Sequence, residues 1–170
     1  MSLALRHKPE ALDLQLDNQG WSTIEALIKG FQNKGISLTL EQLQKIVEEN
    51  NKKRFTFNED GTMIRANQGH SIDIDLGMEP TTPPPTLFHG TATRFLDSIQ
   101  ATGLEKRSRQ HVHLSADKET ASQVGKRHGK LVILVVRSAE MHEKGFEFFI
   151  SKNGVWLTDH VPVEFIDFPL

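Results

Sequence analysis

Five short segments carry the residue types that could do chemistry. Two lie early, Arg6-His7-Lys8-Pro9 and Ile64-Arg65-Ala66-Asn67-Gln68-Gly69-His70-Ser71. Three follow, Phe88-His89-Gly90-Thr91, His111-Val112-His113-Leu114-Ser115 and Gly125-Lys126-Arg127-His128-Gly129. His and Arg beside Gly and hydroxyl residues suit a phosphate-bearing substrate. Arg keeps its charge and offers a planar fork to two oxygens at once. His can hydrogen-bond an anion or move a proton near neutral pH. Gly lets backbone come close to a ligand. In the later segments the polar residues sit at the ends of apolar runs, where a strand would deliver them to a pocket. His111, His113 and Ser115 alternate, so a strand would set them on one face. A metal site built on these histidines is the alternative, but no acidic partner or Cys stands nearby. No metal is expected.

The positioning elements follow from periodicity and turn chemistry. A first helix should stop near Lys8, since Pro9 disfavours helix before it. Leu12, Leu14 and Leu16 alternate as in a short strand. Asp17-Asn18-Gln19-Gly20 is a turn. Ser22 or Thr23 can cap a helix carrying Ile24, Leu27 and Ile28, and Thr39 can cap the next, with Leu40, Leu43, Ile46 and Val47 on one face. Arg54–Phe57 and Met63–Ala66 read as a hairpin across Asn58–Gly61. Helices closed by such a hairpin suggest a winged-helix lobe over residues 1–79. Gln68–Ser71 reads either as the turn leaving that hairpin or as a loop contacting phosphates of a nucleic acid or bridging lobes. Lys52-Lys53-Arg54 reads as a solvated edge or an attraction for a nucleic-acid backbone.

The stretch 80–86 holds Pro83-Pro84-Pro85 and is read as a linker, because prolines donate no backbone hydrogen bonds and favour extended chain. Residues 87–170 form the second lobe. Strands are expected at Thr86–His89, His111–Leu114, Leu131–Arg137, Phe146–Ile150, Val155–Thr158 and near Phe165. Helices are expected at Arg94–Thr102, ended by Gly103, and at Lys118–Lys126. Leu131–Val136 should be a central buried strand. The class is α+β.

Composition narrows the field. The 170 residues are 37% hydrophobic and 25% charged, as in a soluble globular chain. There is no apolar run near the ~20 residues a membrane helix needs and no signal peptide pattern. Cys is absent, which removes disulfides and thiolate chemistry. A net charge of −2 argues against a non-specific nucleic-acid coat, though not against a focused phosphate site. A cytoplasmic monomer is expected.

Taken together, the five segments resemble the RNA 2′-phosphotransferase family, and the resemblance runs from about Leu3 to Phe165. It implies an NAD-dependent transferase that removes an internal 2′-phosphate from RNA, as at a tRNA splice junction. It implies an ADP-ribosyltransferase fold for the second lobe, with NAD as co-substrate. The family's catalytic group maps onto Arg6, His7, Arg65 and Arg127. Its NAD contacts map onto His89, Gly90 and Thr91, with His113 and Ser115 added from the neighbouring strand. His89 would bond the nicotinamide ribose, and Gly90 would let backbone amides approach the carboxamide. Two departures stand out. Phe88 replaces a Tyr common before His-Gly, and Val155 stands where protein ADP-ribosyltransferases carry a catalytic Glu. Two readings compete with the resemblance: an ADP-ribosyltransferase that stops after modifying a nucleic-acid phosphate, and a non-catalytic RNA-binding module.

Overall fold

A computed structural model describes residues 1–169. The chain is α+β and divides into two compact units, Met1–Gly77 and a second beginning at Met78. Among the described residues, no helix is long and apolar enough to cross a membrane.

The first unit opens with α1 (Ser2–Arg6), whose Ala4 and Leu5 are buried. The alternating Leu12-Leu14-Leu16 stretch is not a strand. Pro9 instead starts a 3-10 turn, Pro9–Leu12, and Asp13 leaves it in the left-handed region at φ 53°. Leu12 and Leu14 are still buried, so the alternation reports burial without a pairing partner. β1 (Ser22–Thr23) leads into α2 (Ile24–Asn33), capped by Thr23, whose hydroxyl accepts from Ala26 N. α3 (Leu40–Glu48) begins with a capping box, Thr39 and Gln42 each accepting from the other's backbone N–H. β2 (Phe55–Phe57) and β3 (Met63–Ala66) form the expected hairpin, and β1 pairs on the far side of β3. Leu5, Leu27, Leu43 and Ile64, all fully buried, join the helices to this sheet in one core.

In the second unit, β4 (Leu87–Ala92) carries the His-Gly-Thr segment within a strand longer than expected. A 3-10 turn leads to α4 (Leu96–Thr102), ended by Gly103 at φ 77°. Then come β5 (Leu104–Glu105), β6 (Val112–Leu114), α5 (Lys118–Gly125) and a 3-10 turn, Lys126–His128. β7 (Leu131–Val136), α6 (Ser138–Glu143), β8 (Phe149–Ile150), β9 (Trp156–Thr158), β10 (His160–Val161) and β11 (Ile166–Asp167) complete it.

Two antiparallel sheets, β11-β7-β4 and β6-β9-β8, organise this unit, with β10-β5 as a separate pair. A bridge between Phe88 and Ser115 links β4 to the end of β6. β7 is central in its sheet, but its residues alternate between buried and half-buried, so only one face meets the core. Pro83 is buried, and residues 80–86 are bonded into this unit: Thr81 N donates to Phe148 O, Ser138 Oγ to Pro84 O and Ala139 N to Pro85 O.

Candidate active site

The candidate residues fall into two sets, one in each unit. In the first unit, Arg6 ends α1 and His7 caps it. Arg65 is on β3, opposite Thr56. Aromatic rings hold both guanidiniums. Arg6 lies 5.8 Å from the Phe55 ring centre, and Arg65 lies 4.5 Å from that of Trp21. Trp21 is itself fixed by the preceding turn, where Asp17 Oδ1 accepts from the N–H groups of Gln19 and Trp21. Arg65 Nη1 donates to Gln19 O at 3.3 Å. Arg65 Nε is shielded from solvent and has no hydrogen-bond partner among the described residues. Burial lowers the Arg65 pKa and the nearby Asp17 carboxylate raises it. A guanidinium held partly out of water with a donor unspent suits an incoming phosphate oxygen.

Gln68–Ser71 belongs to this set. Ser71 N donates to Arg6 O at 2.9 Å, and Ser71 Oγ is hydrogen-bonded to His7 Nδ1 at 2.9 Å. His70 is 1% exposed, and neither ring nitrogen has a hydrogen-bond partner among the described residues. Gly20 makes room for it: a side chain there would begin 3.5 Å from His70 Nε2 and 3.1 Å from Ile74, on backbone at φ 80°. Burial, then the charges of Arg6, His7 and Arg65, push the His70 pKa down to about 4. The ring is therefore neutral at physiological pH and adds no repulsion to its basic neighbours.

This has a stability consequence. The folded pKa of His70 lies below its usual 6.5, so the unfolded chain binds the proton more readily. Its contribution is complete above pH 6.5 and is lost as pH falls toward 4. The loss reaches about 3 kcal/mol by pH 4. Urea midpoints of the wild type and His70→Asn, measured from pH 7 to 4, should converge as pH drops. Parallel curves would refute the assignment.

In the second unit, His89 Nδ1 is hydrogen-bonded to His113 O at 3.0 Å. Burial lowers the His89 pKa, the bond to His113 opposes this, and the positive fields of His128, Arg109 and Arg107 lower it further. His89 is thus a neutral ring in a cationic setting. Arg109 Nη1 lies 3.0 Å from His113 Nδ1. Phe88 and Ser115 exchange backbone hydrogen bonds at 2.8 Å each way, and Lys118 Nζ lies 5.6 Å from the Phe88 ring centre. His89, His113 and Ser115 are therefore brought together where β4 meets β6. The His111 ring lies 5.8 Å from that of Phe149. Thr91 is buried within β4.

Gly90 has a structural task that its sequence context did not disclose. A Cβ there would lie 1.7 Å from Ala121 O, 2.6 Å from Ala121 C and 2.9 Å from Gly125 N. The backbone of α5 crosses β4 at this point, and Gly125 faces Gly90 and Thr91 from the helix side. Close approach here is helix to strand. Arg127 follows α5 directly, exposed on the turn Lys126–His128.

Among the described residues, no group of three or more His, Cys, Asp or Glu is arranged to hold a metal ion. Positive charge from His128, Arg109 and Arg107 reaches His89 in the second set, a field that suits an anionic ligand. Sequence reasoning passed over Trp21 and Phe55, and it left His70 within the Gln68–Ser71 stretch, between turn and contact loop. The signal for His70 was its place between Gly69 and Ser71, shortly after Arg65. Trp21 and Phe55 had none beyond being aromatic.

Comparison with known proteins adds an independent line. The family model described as RNA 2′-phosphotransferase, Tpt1/KptA family, matches residues 1–160. A protein of Flavobacterium johnsoniae named "Probable RNA 2′-phosphotransferase" is 53% identical over 168 residues, covering 99% of this chain and 92% of the relative. One of the same name from Fusobacterium nucleatum is 51% identical over 169 residues, 99% of this chain and 94% of the relative. Another, from Acaryochloris marina, is 53% identical over 165 residues, 97% and 91% of the two chains.

Proposed function

Because the chain belongs to the RNA 2′-phosphotransferase, Tpt1/KptA family, we propose that it transfers an internal RNA 2′-phosphate to NAD, with Arg6, His7, Arg65 and Arg127 as catalytic residues. The observation that carries this reading is the first-unit set: Arg6, His7 and Arg65 gathered about a buried His70, both guanidiniums held on aromatic rings. In this reading that unit is a winged-helix-like RNA lobe, and the second is an ADP-ribosyltransferase-like NAD lobe using His89, Gly90, Thr91, His113 and Ser115. Residues 80–86 connect them.

The reaction has two steps. First, a 2′-phosphate oxygen attacks C1″ of the nicotinamide ribose. Nicotinamide leaves, and a 2′-phospho-ADP-ribosyl RNA forms. Second, the adjacent O2″ attacks that phosphorus, the bond to the RNA 2′-oxygen breaks, and the oxygen regains a proton. RNA with a 2′-OH and ADP-ribose 1″,2″-cyclic phosphate are released. The phosphate nucleophile is already anionic, so the first step needs no general base, consistent with Val155 where other ADP-ribosyltransferases use Glu. The arginines position the phosphate and offset charge that builds in the second step. Phe88 keeps an aromatic ring beside His89 without a hydroxyl.

The test is direct. The purified protein is incubated with NAD and a short RNA bearing an internal 2′-phosphate, without divalent metal, and the RNA is followed by mass. Loss of the phosphate with appearance of the cyclic phosphate is the expected result. RNA that gains ADP-ribose and stops there would replace this reading with single-step ADP-ribosylation. Unchanged RNA would leave a binding module.

A further inference from the structure

Ser71 holds Arg6 and His7 by two hydrogen bonds of different kinds. Its N–H donates to the Arg6 carbonyl, and its hydroxyl meets His7 Nδ1, 64 residues away in sequence. The residue before it, His70, is buried, so Ser71 springs from a fixed point. A serine hydroxyl can donate or accept. It donates to Nδ1 when the neutral ring carries its proton on Nε2, and it accepts from Nδ1–H in the other tautomer or when the ring is charged. The contact therefore survives every protonation state of the ring and leaves Nε2 as the nitrogen that does not meet Ser71.

We propose that Ser71 is a positioning residue for His7: it holds Nδ1 and commits Nε2 to the RNA 2′-phosphate. This deepens the function proposed above and rests on it. The two ring nitrogens of a histidine are chemically distinct, and what one binds decides what the other offers. His7 caps a helix of only five residues, which cannot orient the ring by itself. The backbone bond fixes where the ring starts, and the hydroxyl fixes its rotation.

Ser71→Ala removes the hydroxyl and keeps the backbone bond, and Ser71→Thr keeps both. In the full-length chain labelled with 15N-histidine, Ser71→Ala should shift the His7 Nδ1 signal and change the balance of the ring's tautomers. In RNA 2′-phosphate transfer, Ser71→Ala should lower kcat about 10- to 100-fold, Ser71→Thr should recover most of it, and Ser71→Ala with His7→Ala should equal His7→Ala alone. Unchanged His7 nitrogen shifts in Ser71→Ala, or losses that multiply in the double variant, overturn the proposal. A wild type inactive on RNA and NAD would overturn the functional reading, while the nitrogen shifts would still decide the positioning role.

Discussion

Arg127→Ala should let the first step proceed and stall the second, so that 2′-phospho-ADP-ribosyl RNA accumulates where the wild type leaves only 2′-OH RNA. The first step needs the phosphate positioned near C1″. The second needs charge neutralised on phosphorus as its bond to O2″ forms and its bond to the RNA 2′-oxygen breaks. Loss of one preorganised cationic donor for such charge costs about 100- to 1,000-fold. Arg127 is exposed on the turn after α5, so the substitution should leave stability within about 0.5 kcal/mol. Rapid-quench time courses with RNA separated by mass give both rate constants. Equal loss in the two steps would assign Arg127 to substrate binding instead.

Gly90→Ala should be more damaging to the fold than any change at a charged candidate. Its new methyl would sit 1.7 Å from the Ala121 carbonyl oxygen. The obstructing atoms are backbone, so no rotamer relieves the clash. Either α5 lifts from β4 or β4 distorts. The cost should be about 3 kcal/mol or more, at the upper end of overpacking penalties. Because β4 carries His89 and α5 leads into Arg127, activity should fall with it. A thermal scan beside an NAD titration checks this. An unchanged Tm with weakened NAD binding would make Gly90 a ligand-contact glycine rather than a packing one.

These predictions show which parts of the molecule local sequence could express. The Asp17–Gly20 turn, the Thr23 and Thr39 caps and the Phe55–Ala66 hairpin all form as read, because short-range backbone chemistry sets each. Leu12-Leu14-Leu16 misled because alternation records burial, and burial here comes from helices rather than a partner strand. α6 went unseen because distant groups support it. Arg137 before it is bonded to Asp167 and the Glu164 carbonyl. Likewise, β5 and β10 are two residues each and exist through their pairing with one another.

The site divides in the same way. Arg6, His7, Arg65 and the His-Gly segment stood out because their residue types are rare in such clusters. Gly90 was given a ligand task because no rule of spacing reveals that a helix backbone will cross it. Gln68–Ser71 was left between turn and contact loop. Its hydrogen bonds reach Arg6 and His7 across more than sixty residues, and that contact exists only in three dimensions.

That reach also governs when activity can arise. Closing so long a stretch of chain is entropically costly, and a five-residue helix gives Arg6 and His7 no order of their own beforehand. The helices and hairpin between them must already be packed before the His7–Ser71 clasp can close. On the roles proposed for Arg6 and His7, folding of the first unit is thus an interlock on the chemistry.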